Sequence, residues 1–166
     1  MSIVPLSAAV LALVTAQRLS ELVIARRNTA RLLSEGAREV APGHYPLIVA
    51  VHAVWLAGLW LWGLEQQLSL PLLGVYALLQ ALRIWVLTTL GRRWTTRIIV
   101  VPGEKLVARG PYRFISHPNY AVVVGEILVL PLAFGLVGFA LAMSLATAIA
   151  LIIRIRAENA ALHAAS

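Results

Sequence analysis

Two short segments hold the residue types that could do chemistry. The first runs Arg109-Gly110-Pro111-Tyr112-Arg113-Phe114-Ile115-Ser116-His117-Pro118-Asn119-Tyr120. It gathers a glycine, two prolines, two tyrosines, a histidine, an asparagine and two arginines. Pro118 suits the first turn of a helix, with Ser116 or His117 near its N-cap. A helix N-terminus offers free backbone N–H groups that bind carboxylates; the plainer alternative is a well-made helix start at a membrane surface. The second segment is Arg154-Ile155-Arg156-Ala157-Glu158-Asn159, with Arg154 and Glu158 four apart on one helical face. As an exposed ion pair alone, they would contribute under ~1 kcal/mol.

Ionisable residues inside apolar stretches form a second group, because they are costly in lipid and often functional. Arg18 and Glu21 are three apart and can pair on one face. The structural reading is an ion pair near a helix end, snorkelling to the headgroups. Arg83 lies deeper from its helix end and can pair with Glu21 or Glu126, with structural and functional readings in balance. Glu126 sits about two turns into its helix, where a pocket role is favoured. His52 reads as a packed, hydrogen-bonded core residue. Arg113, Glu126 and Arg83 are the candidates for substrate contact.

The elements that must position these groups are membrane helices. Of 166 residues, 60% are hydrophobic, and mean hydropathy is +0.84. A soluble domain usually has about 45–50% apolar residues, and the excess here lies in long blocks. The first block, about Ile3 to Ile24, has no basic residue before Arg18 and is read as a permanent helix. A polar loop with Arg26, Arg27, Arg31 and Arg38 ends near Gly43. The second block runs from about Tyr45 to Leu64; Trp55, Trp60 and Trp62 suggest that its far end meets the opposite interface. The Glu65-Gln66-Gln67 link leads to a third block, about Leu70 to Leu90. Residues 91–119 are the longest polar stretch, with a turn expected over Val100-Val101-Pro102-Gly103-Glu104. The run from about Tyr120 to Ile153 is too long for one ordinary helix. Pro131 and Phe134-Gly135 break it into two helices joined by a tight turn, the first of them short and accommodated by tilt or thinned lipid.

Charge orders these blocks. Of 14 Lys and Arg, 12 fall after the first, third or fifth helix, including Lys105; the others are Arg18 and Arg83. Five spans put all three basic segments on one side, which the positive-inside rule makes cytoplasmic. The expected fold is therefore all-α: a polytopic membrane protein of about five transmembrane helices, N-terminus outside and C-terminus cytoplasmic. One domain is expected over 1–166, with the motif-bearing part at about 91–166. The net charge of +7 is read as topology and attraction to anionic membrane lipids rather than nucleic-acid binding. Cysteine is absent, excluding disulfides and a cysteine nucleophile. His44, His52, His117 and His163 are too scattered to suggest a metal site. The tight hairpin makes the last two helices neighbours and brings Arg154 and Glu158 to the side of His117. Such a cleft suits an amphiphile with a polar head and a lipid-like tail.

These segments resemble the isoprenylcysteine carboxyl methyltransferase family of membrane methyltransferases. The family places Gly-x-Tyr-x-x-x-x-His-Pro-x-Tyr before a helical hairpin, here Gly110, Tyr112, His117, Pro118 and Tyr120. Its Arg-x-x-x-Glu-Glu segment reads Arg154, Glu158 and then Asn159, which stands where a second Glu is common. The shared motifs cover roughly the C-terminal third. Gln17-Arg18-Leu19-Ser20-Glu21-Leu22, Ala25-Arg26-Arg27-Asn28, His44-Tyr45-Pro46, Leu90-Gly91-Arg92-Arg93-Trp94 and Ile98-Ile99-Val100 make the chain similar to a short bacterial branch. That branch includes methyltransferases of alkylpyrones or alkylresorcinols.

The resemblance implies S-adenosylmethionine as methyl donor, in keeping with the lack of a Rossmann glycine fingerprint. It implies that Tyr112, His117, Pro118, Asn119 and Tyr120 surround the cofactor, that Glu158 holds its amino group and that Arg154 faces the nucleophile. The acceptor would be a lipophilic small molecule, and the enzyme an integral protein of a bacterial cytoplasmic membrane with its site facing the cytoplasm. Rivals are a prenylcysteine or phospholipid acceptor, and a non-catalytic membrane subunit or transporter. Against the last, the sequence shows one broken run and no inverted repeat.

Overall fold

The computed structural model describes residues 4–103 and 107–165. Ile3, Glu104, Lys105 and the His163 side chain lie outside the described residues. Among those described, five α-helices follow one another: α1 Val4–Ser34, α2 Tyr45–Trp62, α3 Leu70–Leu90, α4 Pro118–Ala133 and α5 Val137–Ala165. Four are long and apolar enough to cross a membrane, and α4, at 16 residues, is the shorter apolar helix. At about 1.5 Å per residue, α4 covers roughly 24 Å of a ~30 Å hydrocarbon core. Its position reconciles it with that shortfall. Eight of its 16 residues are buried, and it packs between α3 and α5, so protein rather than lipid surrounds much of it. The protein is an all-α polytopic membrane protein.

Small residues set how closely the helices approach, as expected where lipid supplies no hydrophobic drive between them. A Cβ on Gly58 of α2 would lie 2.3 Å from the Phe139 ring of α5, and one on Gly125 of α4 would lie 2.9 Å from Leu79 of α3. The core joins Leu11 and Val14 of α1, Trp55 and Leu59 of α2, and Ile127 and Leu130 of α4 to Phe134. Trp55 departs from the interfacial role expected of the α2 tryptophans: it is fully buried and donates from Nε1 to the Ile127 carbonyl at 3.3 Å. Trp62, half exposed and edge-on to Phe139, is the tryptophan at the end of α2.

The α4–α5 turn closes as a Schellman motif. The Leu136 N–H reaches the Pro131 carbonyl and the Gly135 N–H reaches the Leu132 carbonyl, both at 2.9 Å, with Gly135 at φ 71°. The same motif ends α1, where Ala37 reaches Leu32, Gly36 reaches Leu33, and Gly36 has φ 96°. The end of α1 corrects the expected boundary: the helix continues ten residues past Ile24 to Ser34. Ala25, Arg26, Arg27, Ala30, Arg31, Leu32 and Leu33 are strong helix formers, and buried Ala25 and Leu32 anchor the extension. A two-residue antiparallel ribbon, β1 Arg38–Glu39 with β2 Ile99–Val100, ties the loop after α1 to the loop after α3. The expected turn at Pro102-Gly103 follows β2, with Gly103 at φ 76°.

Candidate active site

The chain enters α4 through a short 3-10 turn, Gly110–Arg113. Gly110 adopts φ 58°, and a Cβ there would lie 2.5 Å from Thr89 Oγ1, so both backbone shape and space demand glycine. His117 is the N-cap residue of α4, with Pro118 at its first turn. The His117 and Tyr120 rings stack, with centroids 5.1 Å apart and planes at 18°.

Tyr120 is the meeting point of the two sequence segments. Its hydroxyl donates to Glu158 Oε2 and accepts from Arg154 Nε at 2.8 Å. The Arg154 guanidinium lies 5.5 Å from the Tyr120 ring centroid, and its Nη1 donates to the Thr96 carbonyl at 2.7 Å. Arg154 and Glu158 thus share a face of α5 without pairing directly; the Tyr120 hydroxyl bridges them. Arg154 is buried, Glu158 half-buried and Asn159 exposed. Asn119 Oδ1 is buried with no hydrogen-bond partner among the described residues, an acceptor left desolvated. Tyr112 is half-buried, and burial, reinforced by the Glu158 charge, pushes its phenol up to about 12. His117, Tyr120, Arg154 and Glu158 therefore meet at one place, with Tyr112 near enough to feel the Glu158 charge; Pro118 is buried in the first turn of α4. The Thr96 carbonyl carries no sequence signal, since a backbone acceptor leaves no mark in residue type.

Arg113 is exposed on the turn before α4. Arg83 and Glu126 belong to another constellation, buried among α1, α3 and α4. Arg83 donates to Glu21 through Nε at 2.6 Å and Nη2 at 2.5 Å, and to Glu126 through Nη1 at 2.9 Å. Arg18 reaches Glu126 at 2.8 Å and Glu21 at 3.4 Å. Gln17 donates to Glu21 and Gln80, and Gln80 donates to Glu126 at 2.7 Å. The two guanidiniums and two carboxylates sum to zero charge, which is what allows them to sit inside the bundle. Gln17 enters the sequence reading only through the Gln17–Leu22 motif and Gln80 not at all, although each lies one turn before a charged member of the network. His52 donates from Nδ1 to the Ile48 carbonyl at 2.9 Å, as a packed helix residue.

Beside the α4 start, an apolar groove of about 300 Å³ lies between α3 and the loop leading to α4. Leu82, Trp85, Phe114, Ile115 and Val122 are among its walls.

The profile of the isoprenylcysteine carboxyl methyltransferase (ICMT) family matches residues 72–164, from α3 through α5. The chain belongs to the ICMT family. It is accordingly an integral membrane protein of a methyltransferase family. It is also 39% identical over 158 residues to the uncharacterized protein YpbQ of Bacillus subtilis (strain 168), across 92% of this chain and 94% of that one. No solved structure gives a significant match to the chain. The ICMT match spans His117, Tyr120, Arg154 and Glu158 together with Arg83 and Glu126, whereas Arg18, Glu21 and Asn28 precede it.

Proposed function

We propose that this ICMT-family protein is an S-adenosylmethionine-dependent O-methyltransferase whose acceptor is a lipophilic molecule with an acidic oxygen, of alkylpyrone, alkylresorcinol or prenylcysteine type. The observation that carries this reading is the Arg154–Tyr120–Glu158 arrangement beside the stacked His117 ring. The residues suit the cofactor's chemistry. Glu158 is a carboxylate able to take an ammonium group, His117 and Tyr120 form an aromatic platform, and Asn119 Oδ1 is a buried acceptor in want of a donor. When bound, S-adenosylmethionine would supply a sulfonium methyl open to in-line displacement.

The chain's own part is alignment and charge, and positioning alone can supply several kcal/mol. Arg154, fixed by Tyr120 and the Thr96 carbonyl, is a preoriented planar cation. It would hold an acceptor oxyanion without protonating it. The Tyr120 hydroxyl donates a hydrogen bond to Glu158, so its oxygen faces Arg154 as an acceptor and keeps the guanidinium in place. A carboxylate or pyrone enol is largely ionised near neutral pH and needs no strong base. A phenol would need His117 or Glu158 in that role. The groove lined by Leu82, Trp85, Phe114 and Ile115 supports an alkyl or prenyl tail lying at membrane level next to the α4 start. The basic residues in the last turns of α1 and just after it, after α3 and within α5 support a cytoplasmic site in a bacterial cytoplasmic membrane, with the N-terminus outside.

The test is methyl transfer from labelled S-adenosylmethionine to a panel of lipid acceptors, using purified protein in lipid nanodiscs. Label should enter long-chain acidic-oxygen acceptors. Absence of transfer to every member of the panel, from protein that is folded, counts against the reading.

A further inference from the structure

Thr96 fixes Arg154 through its carbonyl, yet the loop between α3 and β2 has little regular structure beyond the Gly91–Arg93 turn. The extension of α1 holds that loop. Asn28 Nδ2 donates to the Trp94 carbonyl at 2.8 Å and to the Gly91 carbonyl at 3.2 Å, and Arg31 Nη2 donates to the Arg92 carbonyl at 2.9 Å. Trp94 itself is buried. Beyond Thr96, Arg97 binds Glu39 at 2.9 Å and lies over the Tyr45 ring at 4.6 Å. Thr96 is thus strung between two anchored points, and at the one nearer α3 a single side-chain amide grips two carbonyls while Arg31 holds a third. Asparagine is a poor helix former, so its place inside α1, six residues before the helix ends at Ser34, calls for another reason. The double clamp supplies one.

We propose that Asn28 is a positioning residue for Arg154: it sets the Trp94–Thr96 backbone, whose Thr96 carbonyl orients the guanidinium toward the acceptor. This rests on the methyl-transfer reading given above, and it extends the working site to a part of α1 that lies before the ICMT match. The chain of contacts is Asn28 to Trp94 carbonyl, Thr96 carbonyl to Arg154, Arg154 to Tyr120 hydroxyl. Arg154 faces the acceptor rather than the cofactor's amino group. Loss of the clamp should therefore slow the methyl-transfer step and leave cofactor affinity intact.

The test uses Asn28→Asp, which keeps the shape but turns a donor into a carboxylate oxygen facing two carbonyls, and Asn28→Ala, which removes the group. Two measurements are made in nanodiscs. Hydrogen exchange of residues 91–99 should accelerate in both variants while α4 and α5 stay protected. Single-turnover transfer should fall about tenfold, the consequence of losing roughly one hydrogen bond's worth of positioning. Affinity for S-adenosylhomocysteine should be unchanged, and Asn28→Asp should cause no further loss in an Arg154→Lys background. The proposal is overturned if exchange over 91–99 is unaltered, or if the Asn28 and Arg154 losses multiply independently. If the wild type itself transfers no methyl group, the functional reading fails instead, and the exchange measurement alone decides whether Asn28 holds the loop.

Discussion

Glu126→Gln offers a sharp test of how the bundle carries charge. Glu126 is fully buried and accepts from Arg18 at 2.8 Å, Arg83 at 2.9 Å and Gln80 at 2.7 Å. The substitution keeps the shape but leaves two guanidiniums facing one carboxylate, Glu21. Breaking a buried pair by removing one partner costs about 3–5 kcal/mol, because the other charge is left uncompensated. At roughly 2–4 °C per kcal/mol for a chain of this size, the melting temperature should fall by roughly 6–20 °C. Adding Arg18→Gln restores neutrality between Arg83 and Glu21 and should recover about 1–3 kcal/mol as a coupling term. The assay is thermal unfolding of the single and double variants in nanodiscs, with S-adenosylhomocysteine affinity measured beside it. If Glu126→Gln melts with the wild type, or if the double variant is no more stable than the single, the neutral-network argument is wrong. A stable Glu126→Gln protein that loses only acceptor binding would assign this carboxylate to substrate.

Three other outcomes are expected. Gly135→Ala, at φ 71° in the α4–α5 turn, should cost about 1 kcal/mol and lower the melting temperature by roughly 2–4 °C, read by the same unfolding assay. Reporter fusions at the C-terminus should give a cytoplasmic signal, and an external one would break the proposed topology. Among acceptors sharing one head group, each added methylene should improve kcat/KM by about fourfold until the groove is filled, from ~0.8 kcal/mol per buried methylene; equal values across chain length would argue against a membrane-level tail site.

Much of this architecture is legible in the residues, and what is not has definite physical causes. Long apolar blocks locate the spans, and α3 falls at Leu70–Leu90 as expected because Pro71 sits in its first turn and Gly91 closes it. The hairpin is equally readable, since Gly135 supplies the left-handed conformation that the turn requires. The extension of α1 is hidden from hydropathy: Arg26, Arg27 and Arg31 read as loop to a membrane scale but are good helix formers in water. The β1–β2 ribbon is two residues long in each strand, too short for an alternating pattern to register. The His117, Tyr120, Arg154 and Glu158 cluster follows from helix periodicity and the hairpin. The Tyr120 bridge between Arg154 and Glu158 depends on how two helices are rotated, and the Thr96 carbonyl on where a loop passes; neither is written in spacing.

The central claim is that the Tyr120–Arg154–Glu158 cluster serves a methyl donor held by Glu158. Calorimetric titration of S-adenosylhomocysteine into the folded wild type and Glu158→Gln tests it most directly. One-to-one binding by the wild type is expected, with affinity at least about tenfold weaker when the carboxylate that would pair with the ammonium is neutralised. No binding by the wild type, or equal affinity in the two proteins, would contradict the account.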